Sequence, residues 1–225
     1  MKRPTLVAAV VAGIFLVVVG SLLLAQARGG GAESEPSGSG TTAGSDGALG
    51  SDPRILGERG SSDVTFVEFL DFECEACGAA YPVVEDLRKE YAGEVTFGIR
   101  YFPIPSHFNA ERAARAVEAA ARQGKLTEMY NLMYTNQKDW AEQQEPKDDL
   151  FRSYAESLGL DMEQYEADYS SPEVVERIER DVQAGTEMGV QGTPTFFVNG
   201  ELFQPQTVED FRTALDEALA GSGSS

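Results

Sequence analysis

The feature that most constrains the fold is a strand-like run that leads into two closely spaced cysteines. Residues 64–70 (VTFVEFL) are mostly β-branched and aromatic, which is typical of a buried strand. Cys74-Glu75-Ala76-Cys77 follows, and from there to residue 91 apolar side chains recur every three or four positions, the spacing of a helix. The chain therefore has to fold so that a strand, a short loop with two cysteines and a helix share one core.

The rest of the folded part has a recognisable order of elements. Strands are predicted at 94–102 and 195–199, and Asn199-Gly200 predicts a hairpin turn into a short strand at 201–203. A final helix is predicted at 207–220, with Thr207 as its N-cap and Val208, Phe211, Leu215 and Leu219 on its buried face. Helical patterns occupy 109–123, 125–137, 146–158, 161–169 and 172–188. This order predicts an α/β thioredoxin fold with a helical insertion, about 104–189, between the second and third core strands.

Charge and cysteine content exclude several functions. The chain has 37 acidic and 18 basic residues and a formal charge of -19, which repels phosphate backbones and makes nucleic-acid binding improbable. Two cysteines and one histidine, His107, are too few for a disulfide scaffold or a complete zinc site. Redox chemistry is therefore favoured over a metal half-site or an inert disulfide.

The N-terminal region predicts a location outside the cytoplasm. Residues 4–27 carry no charge and as a helix would span roughly 36 Å, enough for a bilayer core. We predict a membrane anchor at 1–28, with Lys2 and Arg3 in the cytoplasm; a cleaved signal peptide is the alternative, because Ala25-Gln26-Ala27 has the form of a cleavage site. Residues 29–52 are predicted to be a flexible linker, 53–220 the folded domain and 221–225 a disordered tail.

The two sulfurs are expected to have different roles. Cys74 at the start of a helix faces unpaired N–H groups and the positive end of the helix dipole, which lower its pKa and make it the attacking sulfur. Cys77, one turn further and turned inward, is suited to resolving a mixed disulfide. Glu68 is predicted to be buried by the alternation of its strand, where it could exchange protons with the inner sulfur. Asp71 and Glu73 are expected to be solvated loop acids.

Two further segments are candidates for the same site. Thr193-Pro194 precedes the third strand; if the bond is cis, the backbone of Thr193 can pair with an extended substrate, but the residues alone leave cis and trans open. His107 lies in a proline-rich loop, where a hydrogen-bonded structural role is favoured over that of a catalytic base. Tyr130, Met133, Tyr134 and Trp140 have the spacing of a core cluster.

Several motifs in this order resemble the DsbA-like thiol:disulfide oxidoreductases, in the membrane-anchored form common in actinobacteria. The resemblance covers about 54–220 and rests on three stretches. They are residues 67–77 (VEFLDFECEAC), residues 189–200 (GVQGTPTFFVNG), and a middle stretch with Phe102-Pro103, His107, Asn109-Ala110, Gly124-Lys125 and Asn136-Gln137. It implies that Cys74 is the nucleophile, Cys77 the resolving cysteine, Glu68 the buried acid, and Thr193-Pro194 the cis-proline loop that contacts substrate. Strongly oxidising members carry Pro-His where this chain has Glu75-Ala76, so we expect a less oxidising disulfide here.

The predicted function is an extracytoplasmic dithiol oxidase that introduces disulfides into exported proteins. It needs no metal or organic cofactor, and the resemblance implies reoxidation by a membrane quinone-linked oxidase. Three alternatives stay open: a disulfide reductase or isomerase that uses the same cysteines, a non-catalytic tethered binding module with a permanent disulfide, and a copper-binding dithiol.

Overall fold

A computed structural model describes residues 47–222, and this part of the chain is built on one mixed sheet. Its strands are β1 (Arg54–Ile55), β2 (Thr65–Leu70), β3 (Thr96–Tyr101), β4 (Thr195–Val198) and β5 (Glu201–Phe203). Their spatial order is β1-β3-β2-β4-β5, in which β2 and β3 are parallel and the other pairs antiparallel. The sequence did not predict β1, because two residues are too short to show a period.

The helices follow the predicted order. They are α1 (Glu75–Glu90), α2 (Ala110–Arg122), α3 (Leu126–Thr135), α4 (Asp148–Ser157), α5 (Met162–Tyr169), α6 (Pro172–Glu187) and α7 (Val208–Ser222). One turn of 3-10 helix, Gln137–Asp139, follows α3. Helices α2 to α6 form the insertion between β3 and β4, so the predicted thioredoxin fold with a helical insertion is confirmed.

The core of the described residues lies on both faces of the sheet. Phe66 of β2 packs with residues of α1 and α7, including Leu87 and Phe211. Leu70, at the end of the same strand, belongs to a large cluster that contains Cys77 and the insertion. The insertion therefore packs directly against the end of β2 from which the cysteine loop begins.

The chain before β1 also contributes to the core. Ala48 and Leu49 fall within the segment predicted as a linker, yet both are buried and pack with Val67 and Phe69 of β2. Leu49 fills the space left by Gly98, where an added Cβ would collide with its side chain. The packed core of the described residues thus extends into the segment predicted as a linker.

The helix α7 differs from its prediction at both ends. Thr207 caps it as predicted, since its hydroxyl accepts from the N–H of Asp210 at 3.3 Å, and the Asp210 carboxylate accepts from the N–H of Thr207 at 2.7 Å. Val208, which was predicted to lie on the buried face, is 45% exposed, however. It is the first residue of the helix and comes before the turn in which Phe211 packs against the core. The helix also continues to Ser222, two residues into the predicted tail.

Across residues 47–222 no helix is both long enough and apolar enough to cross a membrane. The predicted anchor or signal peptide (1–28), most of the predicted linker and the last three residues of the predicted tail lie outside the described residues.

Candidate active site

The two cysteines lie where β2 gives way to α1. Cys74 is the N-cap of α1, with φ -68° and ψ 121°, and its carbonyl accepts from the N–H of Gly78 at 3.0 Å. Both cysteines are free thiols; Cys74 is partly exposed, whereas Cys77 is buried in the first turn of the helix. Only Cys74 is thus open to a partner from solution.

The surroundings of the two sulfurs separate their acidities. The hydrogen bond from the Cys77 thiol is the largest influence on Cys74; with the N–H groups of Cys77 and Ala76, it outweighs burial and lowers the pKa of Cys74 to about 5. Burial, followed by the hydrogen bond that the Cys77 thiol donates to Cys74, raises the pKa of Cys77 well above its usual value. At neutral pH the outer sulfur is therefore a thiolate and the inner one a thiol.

Glu68 lies on β2 beneath this pair. It is 1% exposed, which confirms its predicted burial, and its Oε2 has no hydrogen-bond partner. Burial, followed by the negative charge of Cys74, raises the pKa of Glu68 to about 8. The charge of Glu68 also raises the pKa of Cys77. Glu68 therefore carries a proton at neutral pH and interacts electrostatically with both sulfurs.

The loop before β4 forms the other wall of the site. The Thr193-Pro194 bond is cis, and the carbonyl oxygen of Thr193 lies 3.4 Å from Sγ of Cys74, where it accepts from that sulfur only when the sulfur is protonated. A groove of about 710 Å³ continues from this loop along the β4–β5 hairpin. Leu202, 48% exposed, and Phe203 give the groove an apolar side.

Asp71 and Glu73 are not solvated, contrary to the sequence-based expectation. Each is 1% exposed. The Oδ1 atom of Asp71 accepts from the N–H of Glu73 at 2.8 Å, and Oδ2 accepts from the N–H of Ile104 at 2.9 Å. Glu73 accepts from the N–H groups of Asn109 and Glu142, at 2.5 Å and 3.0 Å. The expectation was wrong because the insertion covers the cysteine loop. The backbone N–H groups of this covered region need hydrogen-bond acceptors, and the two carboxylates provide them.

His107 joins the same network, in the hydrogen-bonded role that its loop position predicted. Its Nδ1 lies 2.6 Å from Oδ2 of Asp71. Burial lowers the pKa of His107, but the hydrogen bond and charge of Asp71, with the charges of Cys74 and Glu73, outweigh it and the pKa is raised. Burial likewise raises the pKa of Asp71, against the hydrogen bonds from Ile104, Glu73 and His107.

The insertion also supports the loop through residues that the sequence analysis did not identify as part of the site. Gln137 donates through Nε2 to the carbonyls of Phe72 and Cys74, at 2.8 Å and 2.9 Å. The hydroxyl of Tyr134 donates to the carbonyl of Asp71 at 3.4 Å. The predicted cluster of Tyr130, Met133, Tyr134 and Trp140 is buried. Sequence signals for these contacts are weak, because all of them join segments far apart in the chain.

The described residues contain no group of three or more His, Cys, Asp or Glu side chains placed to hold a metal ion. The chemistry that the geometry supports is thiol–disulfide exchange between one activated sulfur, one buried sulfur and one buried acid.

Similarity to curated proteins covers about two thirds of this chain. A protein of Herminiimonas arsenicoxydans described as the Na(+)/H(+) antiporter NhaA is 38% identical over 151 residues, which cover 66% of this chain and 23% of that protein. Na(+)/H(+) antiporter NhaA 3 of Salinispora tropica is 39% identical over 161 residues, covering 71% of this chain and 24% of that protein. The chain thus spans about a quarter of the length of these relatives.

Solved structures and a family model agree on the fold. A thioredoxin-like oxidoreductase from Silicibacter pomeroyi is 28% identical, with a TM-score of 0.64 over 77% of this chain and 96% of that one. BdbD from Bacillus subtilis is 21% identical, with a TM-score of 0.67 over 75% and 94% of the two chains. A family model described as thioredoxin matches residues 51–217. The chain therefore belongs to the thioredoxin family.

Proposed function

We propose that this DsbA-like protein is an extracytoplasmic enzyme that introduces disulfides into exported proteins. The observation that carries the proposal is the opposite direction of the two cysteine pKa shifts, down to about 5 for Cys74 and well up for Cys77. A sulfur of low pKa is a good leaving group, so a substrate readily displaces it from a mixed disulfide. This property favours transfer of the disulfide to the substrate.

The reaction begins with the oxidised pair. A substrate thiolate attacks Sγ of Cys74, the bond between Cys74 and Cys77 breaks, and Cys77 leaves with the electron pair. Glu68, protonated at neutral pH, gives its proton to the buried Cys77 sulfur. A second substrate thiolate then attacks the substrate sulfur of the mixed disulfide and Cys74 leaves as a thiolate. The substrate has gained a disulfide, the enzyme has gained two electrons, and Glu68 regains its proton from solvent.

The loop before β4 is proposed to hold the substrate during this exchange. The Thr193 carbonyl is already in contact with the Cys74 thiol, so a peptide bound along Thr193 and Pro194 would bring its cysteine to that sulfur. The groove beside the loop combines backbone groups with the exposed apolar surface of Leu202. We therefore expect extended segments with apolar side chains, as in unfolded exported proteins, to be preferred.

Location and partners rest on the N-terminal sequence and the family resemblance. We propose that the chain is anchored in the membrane through residues 1–28, or secreted if they are cleaved, and that a membrane quinone-linked oxidase reoxidises the dithiol. The antiporter relatives match only over about a quarter of their length, so no ion transport is proposed for this chain.

The redox equilibrium with glutathione tests the direction of electron flow. The proposal predicts a potential well above about -200 mV, whereas a value near about -270 mV, like that of thioredoxin, would support the reductase alternative. Glu75 beside the thiolate is expected to place the value below that of the strongest oxidases.

Trapping of mixed disulfides tests catalysis itself. Cys77→Ser is expected to accumulate covalent complexes with reduced, unfolded proteins, because the resolving sulfur is missing while Cys74 stays reactive. Cys74→Ser is the matched control and should trap none. A Cys74→Ser protein with full function in the cell would support the non-catalytic binding module instead.

A further inference from the structure

The buried carboxylate of Asp71 is a titratable group of the cysteine loop to which the exchange mechanism gives no role. Asp71 follows β2 directly and lies three residues before Cys74, and its own carbonyl accepts from the N–H of Cys74 at 3.2 Å. The side chain is 1% exposed. A negative charge at this place is close to the base of the loop that carries the reactive thiolate, and it opposes formation of a second negative charge there.

The partners of this carboxylate are all donors. Two are backbone N–H groups, of Glu73 and Ile104, and the third is the imidazole of His107 at 2.6 Å. Burial raises the pKa of Asp71, and these three donors act against burial by favouring the ionised carboxylate. With Nδ1 of His107 donating to Asp71, the second ring nitrogen, Nε2, is the one that gains or loses a proton. The His107 side chain is 30% exposed, so this proton can exchange with solvent.

The charged groups around His107 are mainly negative. Asp71, Glu73 and Cys74, all from the loop between β2 and α1, act on the imidazole. From α2, Arg112 is the neighbouring cation, but its guanidinium stacks over the Phe108 ring at 5.0 Å and pairs with Asp148 at 3.0 Å. Within residues 47–222, His107 is therefore the neighbouring side chain that can place a positive charge beside the Asp71 carboxylate.

We propose that His107 is a positioning residue for the exchange reaction, in which its imidazolium balances the buried Asp71 carboxylate and thereby favours the Cys74 thiolate of the dithiol form. The inference rests on the proposed function, because it concerns the stability of that thiolate. Glu75 and Ala76, between the cysteines, provide no positive charge. His107, in the helical insertion, would provide one instead. By linkage, the thiolate must in turn favour the protonated imidazole.

A titration of the histidine tests this coupling directly. His107 is the only histidine of the chain, so an untagged protein gives a single imidazole signal by proton NMR. We expect its pKa to be higher in the dithiol form, where Cys74 carries a charge, than in the disulfide form, where it carries none. Identical pKa values in the two forms would overturn the proposal.

Two substitutions separate charge from structure. His107→Asn keeps an N–H donor toward Asp71 without the charge, and it should shift the glutathione equilibrium about three- to tenfold toward the enzyme disulfide. His107→Lys restores a cation and should recover part of that shift. Equal shifts in both variants would mean that only the imidazole shape matters, and would contradict the proposal.

The same samples keep this inference apart from the proposed function. If Cys74 titrates as an ordinary thiol in the unsubstituted protein, the proposed function fails. If Cys74 has a low pKa but His107 does not respond to the redox state, only the role of His107 fails. Should a variant not fold, the NMR titration of the unsubstituted chain still decides.

Discussion

At the scale of single residues, the site depends on an unequal sharing of one proton between two sulfurs. The thiol of Cys77 donates toward Cys74, so stabilising the outer thiolate also keeps the inner sulfur protonated. Burial makes a negative charge on Glu68 unfavourable, so its carboxyl group stays neutral up to about pH 8. The outer thiolate and the inner acid are therefore both required for exchange at neutral pH.

Glu68→Gln tests this arrangement through stability. The folded-state pKa of Glu68 is raised from 4.5 to about 8, so its contribution to stability is fully present below about pH 4.5 and is lost as pH rises through about 8. The slope approaches about 1.4 kcal/mol per pH unit between those values. The variant should show a flatter pH dependence of the free energy of unfolding, measured by urea titration of the dithiol form.

The same variant should exchange more slowly. Without an acid to protonate Cys77, we expect reduction of the enzyme disulfide by a model peptide dithiol to slow by at least about tenfold at pH 7. Glu75→Gln, which makes the same chemical change at an exposed carboxylate near Cys74, is the matched control and should not slow the exchange. A Glu68→Gln protein that keeps both the slope and the rate would contradict the role of Glu68.

The residues of the site differ in how well the sequence predicts them. Cys74, Cys77 and Glu68 carry local signals, namely the spacing of the cysteines, the start of a helix and the alternation of a strand. Asp71 and Glu73 carry none, because acids in a loop are normally solvated and their donors come from residues 104, 107, 109 and 142. Their burial follows from tertiary contacts that no local pattern contains.

At the scale of secondary-structure elements, the insertion holds the cysteine loop against α1. Gly78, in the first turn of α1, leaves room for the Gln137 side chain, and an added Cβ would collide with its Oε1 atom. Gln137 in turn holds the carbonyls of Phe72 and Cys74. One small residue in the helix thus permits two hydrogen bonds from the insertion to the loop.

In a double-mutant cycle on Gly78 and Gln137, we expect the effect of Gly78→Ala on the free energy of unfolding to change sign. Gly78→Ala alone should lower the free energy of unfolding by about 1–3 kcal/mol, because Gln137 is displaced and buried carbonyls lose their donor. In a Gln137→Ala background the same change should stabilise the protein by up to about 1 kcal/mol through helix propensity. Urea unfolding of the four proteins measures both effects. An equal effect of Gly78→Ala in both backgrounds would show that the contact carries no energy.

Element order is what the sequence predicts best for this fold. In the long helices of the insertion and the strands β2 to β5, apolar residues recur with the spacing of a helix or a strand. The observed ends of these elements differ from the predicted ends by a few residues at most. The strand β1 and the packing of Leu49 were not predictable, since each depends on a partner on β3 and not on its own neighbours in sequence.

At the scale of the whole molecule, the net charge of -19 surrounds the reactive sulfur with a negative field. The reaction of the Cys74 thiolate with an anionic aromatic disulfide should therefore accelerate severalfold when ionic strength rises from about 0.01 M to about 0.5 M. With cystamine, a cationic disulfide, salt should slow the reaction. Stopped-flow rates for the two reagents test this, and the same response to salt with both would contradict a role for the overall charge.

The account as a whole depends on the acidity of Cys74, and its ultraviolet thiolate absorbance measures that acidity directly. A pH titration of the dithiol form, with Cys74→Ser as the reference, should show one thiolate forming with a midpoint near pH 5, while Cys77 stays protonated through neutral pH. A midpoint near 9.0, the value of an unperturbed thiol, would contradict the central claim.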